Sequence, residues 1–304
     1  MSSLTIGAVC DPEDEILVAE PYYTNYRGFA HLLGCQVVPV PTFAKEGFKV
    51  SPERVRAAIT SKTRLLVVPS PGNPTGAVLS HQDLQELGSI CMDAGIFFVV
   101  DEVYREFVYE AKGPDALAPS VLAVPGLEEV AIVVDSVSKR YSACGARIGC
   151  LVTRNEALYQ ACLCFAQARL SPPTVDQFAA EAALRTPRNE MRANIAAYKA
   201  RRDVVVQGLN EIDGVSCPCP AGAFYLVADL PVDDAEHFCR FLLTDFDLDG
   251  QTVMLAPASG FYATPGAGRN QVRVAYVLDI PALKRSLAIL QAGLQAYASY
   301  RIES

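Results

Sequence analysis

Short, mostly apolar runs recur through the first half of the chain, separated by stretches whose apolar positions repeat three and four residues apart. The runs at 15–19, 36–40, 64–68, 97–100, 130–134 and 148–152 read as strands buried on both faces. Between them the helical spacing predicts helices over 23–33, ending at Gly34, over 51–59 with Ser51 as N-cap, and over 80–94 with Ser80 as N-cap and Gly95 as the stop. Strands alternating with helices predict an α/β fold, a mostly parallel sheet flanked by helices on both faces. The Ala- and Pro-rich stretch 113–125 reads as a surface excursion.

Beyond Leu170-Ser-Pro-Pro-Thr174 the pattern changes. Helices are expected over 175–184 and 188–209, then a strand at 224–228, an amphipathic helix at 234–246, a strand at 272–276 and a closing helix at 281–299. The expected division is a large domain over 1–187 and, over 188–304, a long linking helix with a smaller C-terminal α+β domain. The charged pattern from Arg185 to Arg202 is interrupted by Glu190 and is read as a solvated helix face.

Composition narrows the functional classes. With 304 residues, about half of them apolar, the chain can bury a sizeable core. A net charge of -8 argues against nucleic-acid and membrane-surface partners. No apolar stretch is long enough for a membrane span, and the first residues do not read as a secretory signal. The 10 cysteines, spread from Cys10 to Cys239, read as reduced thiols of a cytoplasmic enzyme. Three histidines and no Cys-x-x-Cys pair give no expectation of a metal site.

Candidate chemistry centres on Lys139, in Asp135-Ser-Val-Ser-Lys-Arg-Tyr-Ser-Ala-Cys-Gly-Ala-Arg147. A lysine amine can form a Schiff base with a carbonyl, while Ser136, Ser138 and the planar fork of Arg147 suit a phosphate, a combination that suggests pyridoxal phosphate. Alone, the run could be an exposed turn before a helix. Asp101 ends the apolar run Phe97-Phe-Val-Val, the carboxyl end of a strand, where ligands bind in open α/β sheets. An acid there can pair with a protonated pyridine nitrogen. Asn73, in Pro71-Gly-Asn-Pro-Thr-Gly76, could donate to a ring oxygen, although such a cluster is also an ordinary turn.

Taken in order, Pro-Gly-Asn-Pro-Thr-Gly, Asp-Glu-Val-Tyr104, Ser-Val-Ser-Lys with Arg147, Ala221-Gly-Ala-Phe-Tyr225 and Gln271-Val-Arg273 resemble the class I and II aminotransferases of pyridoxal phosphate fold type I. The resemblance implies that Lys139 is the Schiff-base lysine and acid/base, Asp101 the partner of the pyridine nitrogen, and Asn73 and Tyr104 the donors to the ring hydroxyl oxygen. It implies that Ser136, Ser138 and Arg147 bind the phosphate, that Tyr23 stacks on the ring, and that Arg273 clamps the substrate carboxylate. It also implies a homodimer. The stretch 253–266, with Arg273 downstream, looks like a bacterial aspartate-type group, in which Arg169 would lie near the substrate side chain at the dimer interface. Arg169 also fits a structural ion pair or a helix-end cation.

The implied activity is amino-group transfer between an amino acid, aspartate or glutamate among the candidates, and a 2-oxo acid. The same parts serve lyase or decarboxylase chemistry. At its start the chain looks like the tail of the family's first large-domain helix, without the Gly/Ser-rich phosphate loop expected before it. Losing about two charge-assisted bonds would weaken cofactor binding by on the order of a hundred- to ten-thousandfold. A shortened paralogue that binds the cofactor weakly or is inactive is therefore the alternative expectation.

Overall fold

The computed structural model describes residues 2–111 and 116–303. The apolar runs form one six-stranded sheet from β1 (Glu15–Glu20), β2 (Gln36–Pro41), β3 (Thr63–Pro69), β4 (Phe97–Asp101), β5 (Ala131–Ser136) and β6 (Gly149–Thr153), in the order β2-β1-β3-β4-β5-β6. Strands β1 to β5 pair in parallel, whereas β6 returns antiparallel, with Ser136 opposite Gly149. The chain between β5 and β6 is spent on a four-residue helical turn instead of a crossover helix, so the return runs in the hairpin sense.

Both faces of β1, β3, β4 and β5 are covered, as parallel strands require, whereas the edge strand β6 leaves Cys150 and Val152 exposed, against the expectation of burial on both faces. On one face α3 (Pro52–Ala58) and α4 (His81–Ala94) bury Val55, Leu84, Leu87 and Ile90 against Leu66, Val68 and Phe98. On the other, α1 (Ser2–Val9) and α2 (Asn25–Leu32) bury Ile6 and Tyr26 against Ile16, Val18, Leu65 and Val67. The expected caps are in place. Ser51 accepts the Arg54 N–H at 3.2 Å, Ser80 and Asp83 form a reciprocal capping box, and Gly95 ends α4 in the left-handed region with φ 64°.

Two segments differ from expectation. A helix, α6 (Glu156–Arg169), follows β6 and packs against α1, capped by Asn155, which accepts the Leu158 N–H at 2.9 Å. Tyr159 and Phe165 stay exposed on it, so its apolar residues form no clean stripe for periodicity to reveal. The second segment is 113–125, expected at the surface. Residues 112–115 lie outside the described residues, but Ala118, Val121 and Val124 are buried. The Pro and Ala density marked irregular backbone, and the buried Glu102 carboxylate holds that backbone inside by accepting the Val121 N–H at 3.0 Å.

Burial pushes Glu102 up to about 7, against the opposing pull of Ser120, of Arg105 and of the Val121 N–H. An acid raised in the folded state stabilises it fully below its unfolded pKa, and this contribution is lost as pH rises through the folded value. Between about pH 4.5 and 7.5 the wild type should therefore lose about 3 kcal/mol of unfolding free energy relative to Glu102→Gln. Denaturant titrations of both proteins at the two pH values check this. Parallel pH profiles would contradict it.

The remaining chain builds a second layer. After the turn α5 (Val137–Arg140) and the helices α7 (Thr174–Leu184) and α8 (Arg188–Asn210) come β7 (Tyr225–Asp229), α9 (Ala235–Thr244), β8 (Ala256–Pro257), β9 (Gln271–Ala275) and α10 (Ile280–Glu303). The strands form an antiparallel sheet in the order β7-β9-β8, whose apolar face packs Leu226 and Val272 with Leu209, Phe238, Leu242 and Leu290. The expected elements lie within a few residues of the observed ones, and the two-residue β8 is an addition.

Backbone bonds join the second sheet to the first. Gly222 N–H donates to the Gly76 carbonyl at 2.9 Å, Ala223 to Phe107 at 2.9 Å, and Tyr109 to Ala221 at 3.1 Å. Only glycine fits this crossing. A Cβ on Gly222 would stand 2.5 Å from the Phe107 carbonyl oxygen, and one on Gly76, at φ 69°, would stand 2.3 Å from the Pro220 Cβ. The crossing sets the C-terminal ends of β3, β4 and β5 opposite β9.

Candidate active site

A cleft of about 380 Å³ opens where those strand ends meet β9. It brings together Tyr23, Asn73, Asp101, Tyr104, Ser136, Ser138, Lys139, Arg147 and Arg273. Each arrives by a local cause. Asp101 is the last residue of β4, level with Pro69 of β3 and Val134 of β5. Its Oδ2 accepts the Tyr26 hydroxyl at 2.8 Å and its Oδ1 the Val103 N–H at 3.2 Å. Burial raises its pKa against those two bonds, and no ion pair offsets its charge among the described residues. A buried carboxylate in that state favours a ligand that brings a cationic N–H.

Lys139 sits on α5, whose N-cap is Ser136. Ser136 Oγ donates to the Ile148 carbonyl at 2.8 Å and accepts the Ser138 N–H at 3.1 Å, which fixes the turn. The Ser136 hydroxyl is also within donating distance, 2.7 Å, of the Ser138 hydroxyl, so the two hydroxyls share one hydrogen-bonded pair. Lys139 Nζ makes no hydrogen bond or ion pair among the described residues and stands 6.0 Å from the centre of the Phe224 ring. The next residue, Arg140, is pinned between Glu106 at 2.7 Å and Asp135 at 2.6 Å, so the turn is anchored while its lysine is free. Arg147 adopts a left-handed φ of 59° and spends one donor on the Cys144 carbonyl at 3.0 Å. A strained, exposed cation beside a pair of hydroxyls suits an anionic ligand.

On the opposite wall the Arg273 guanidinium lies between two rings, 4.7 Å from the centre of Tyr225 and 4.9 Å from that of Phe261. It donates to Asn73 Oδ1 at 3.1 Å, and this leaves the Asn73 amide hydrogens for another acceptor. The Tyr104 and Tyr225 hydroxyls are 3.2 Å apart, so one hydrogen bridges the pair and the other remains to be donated. The Tyr23 ring, 36% exposed, lines the cleft edge-on to Tyr26, and its hydroxyl accepts from Asn25. An amine, a buried carboxylate, neutral donors and an arginine beside a hydroxyl match the aldehyde, pyridine nitrogen, ring oxygen and phosphate of pyridoxal phosphate.

Arg169 is not brought to this cleft. It ends α6, exposed, and among the described residues its guanidinium bonds to the neighbouring Leu170 carbonyl at 3.4 Å, as the chain turns away at Leu170 with φ 69°. Conversely, Tyr26, Tyr225 and Phe261 take part without having been singled out. Tyr26 lies one helical turn after Tyr23, and the other two fall inside stretches quoted above, so spacing and motif context were the available signals.

The family model for class I and II aminotransferases matches residues 1–280. The aspartate/prephenate aminotransferase of Thermus thermophilus is 36% identical over 289 residues, 92% of this chain and 69% of that protein. The aspartate aminotransferase of Rhizobium meliloti is 31% identical over 299 residues, 94% of this chain and 70% of the relative. Among solved structures, the Thermus thermophilus aspartate aminotransferase with maleate superposes with a TM-score of 0.83 at 31% identity, covering 96% of this chain and 73% of that one. An alanine aminotransferase from Pyrococcus furiosus gives 0.85 at 29% identity, covering 97% and 74%. Matched along most of its length by sequence and by fold, the chain belongs to the class I and II aminotransferases of fold type I.

Proposed function

We propose that this aminotransferase works with pyridoxal phosphate held in the cleft, moving an amino group between an amino acid and a 2-oxo acid. The observation that carries the proposal is the convergence of Lys139, Asp101, Asn73, Tyr104, Arg147 and Arg273 on one cavity of about 380 Å³. When bound, the cofactor supplies a carbonyl that takes up the amine and a ring that withdraws electrons. Lys139 Nζ would anchor that carbonyl carbon and, when free as the amine, would take up the proton lost from the substrate Cα. Asp101 keeps a proton on the pyridine nitrogen, and Asn73 and Tyr104 donate to the ring oxygen. Ser136, Ser138 and Arg147 bind the phosphate, Tyr23 covers the ring, and Arg273 grips the substrate α-carboxylate as a planar fork.

The names of the relatives make aspartate and alanine the first amino acids to test, with glutamate, the other candidate from the sequence, beside them. We place the division between cofactor-binding and smaller lobes at 187/188 and propose a homodimer. Leu170, Val175 and Phe178 support it, because they are 72%, 79% and 68% exposed on one stretch of chain and need cover. A cytoplasmic setting is supported by ten cysteines that are all free thiols.

Titration of the purified protein with pyridoxal phosphate should produce a visible absorbance band. Aspartate, glutamate or alanine supplied with a 2-oxo acid should then yield the corresponding new amino acid. Ammonia or carbon dioxide release in place of that product would favour lyase or decarboxylase chemistry. No band at any cofactor concentration would indicate the inactive reading.

A further inference from the structure

We infer that Glu20 is a positioning residue for the substrate, fastening the loop that carries Phe261 to the end of β1 and thereby fixing Arg273. The inference rests on the assignment of Arg273 to the substrate carboxylate.

Glu20 is the last residue of β1 and is 3% exposed. Its Oε2 accepts the N–H groups of Ala263 at 3.0 Å and Thr264 at 3.2 Å, and its Oε1 accepts the Thr264 hydroxyl at 2.5 Å. No cation pairs with it among the described residues. An anion buried without a counter-ion is costly unless it accepts several good hydrogen bonds, and here all three come from one loop more than two hundred residues away.

The same junction carries a backbone bond, from Tyr22 N–H to the Phe261 carbonyl at 2.9 Å. Behind Glu20, its own carbonyl accepts both the N–H and the hydroxyl of Thr42, at 3.0 and 2.7 Å, so the anchor is itself tied into the sheet. The tethered loop presents Phe261, one of the two rings between which the Arg273 guanidinium lies. Asp101, Ser138, Lys139 and Arg147 stand on or beyond other strands, and among the described residues none is hydrogen-bonded to Glu20, Ala263 or Thr264. Loosening it therefore shifts the grip on the carboxylate and, of the cofactor's partners, leaves Asp101, Ser138, Lys139 and Arg147 in place, while Tyr23 and Asn73 adjoin the latch and Arg273.

In the holoenzyme, Glu20→Ala should raise KM for the amino acid about tenfold, since misplacement by an ångström costs up to about a hundredfold. It should change kcat by less than about threefold and leave the cofactor dissociation constant within about twofold. Glu20→Gln, which keeps an acceptor, should restore most of the loss. Thr264→Val should raise KM in the parent but add nothing in Glu20→Ala, because both remove the same tether.

Arg273→Ala separates the two readings. If it raises KM while a folded Glu20→Ala does not, the latch is overturned. If it leaves KM unchanged, the Arg273 assignment falls and the latch falls with it. A purely structural Glu20 would lower the melting temperature and leave KM alone, which also overturns the inference. Should Glu20→Ala fail to fold, Thr264→Val decides, a raised KM supporting the latch and an unchanged one overturning it.

Discussion

Replacing Lys139 with alanine should suppress amino-group transfer by on the order of ten-thousandfold or more, because one change removes both the attachment point and the Cα proton carrier. The fold should not notice. Lys139 makes no hydrogen bond or ion pair among the described residues, and the turn beneath it is held by Ser136 and by the Arg140 pairs to Glu106 and Asp135. Melting temperature and circular dichroism should match the parent, as expected when a half-buried side chain in a cleft is shortened away from such features. Borohydride reduction of the parent with cofactor bound should fix the pyridoxyl group on the peptide containing Lys139, and that label should vanish in the variant. A label on another lysine would contradict the assignment.

Asp101→Asn should separate attachment from turnover. Lys139 remains, so the cofactor still binds and can be fixed by reduction, but the ring nitrogen loses the anion that keeps it protonated, and transfer should fall by roughly a thousandfold. Stability should move the other way. Burial raises the Asp101 pKa, so the cofactor-free wild type carries a penalty on its charged form that grows as pH rises through the folded pKa. Cofactor-free Asp101→Asn should therefore melt no lower than wild type at pH 7 to 8, with its relative advantage shrinking toward acid pH. Such opposed effects mark a residue kept for chemistry at a cost to the fold. Near-normal turnover in this variant would remove Asp101 from the mechanism.

The sheet was legible because burial on both faces leaves unbroken apolar runs, and Asp101 stood out as the acid that ends one of them. Lys139, its serines and Arg147 were legible because they share one turn and its exit. Their supports were not. Tyr26 reaches Asp101 across 75 residues, Tyr104 reaches Tyr225 across 121, and Arg273 reaches Asn73 across 200. Such partners exist only after the layers pack, and no local periodicity encodes them. The segment 116–125 was misread for the same reason, since its burial depends on Glu102 and not on its own composition. Helix α6 escaped because a half-exposed helix lacks the stripe that marks an amphipathic one, although its Asn155 cap was visible in the sequence.

The crossing of Gly76 and Gly222 ranks the chain's positions by how they would fare over generations without selection for activity. Shortening Lys139 would break no hydrogen bond or ion pair among the described residues, whereas any side chain at Gly222 would meet the Phe107 carbonyl and the Pro71 ring at once. A lineage released from catalysis would thus shed the lysine early and hold the glycine long, because only the glycine is policed by folding. This chain retains both.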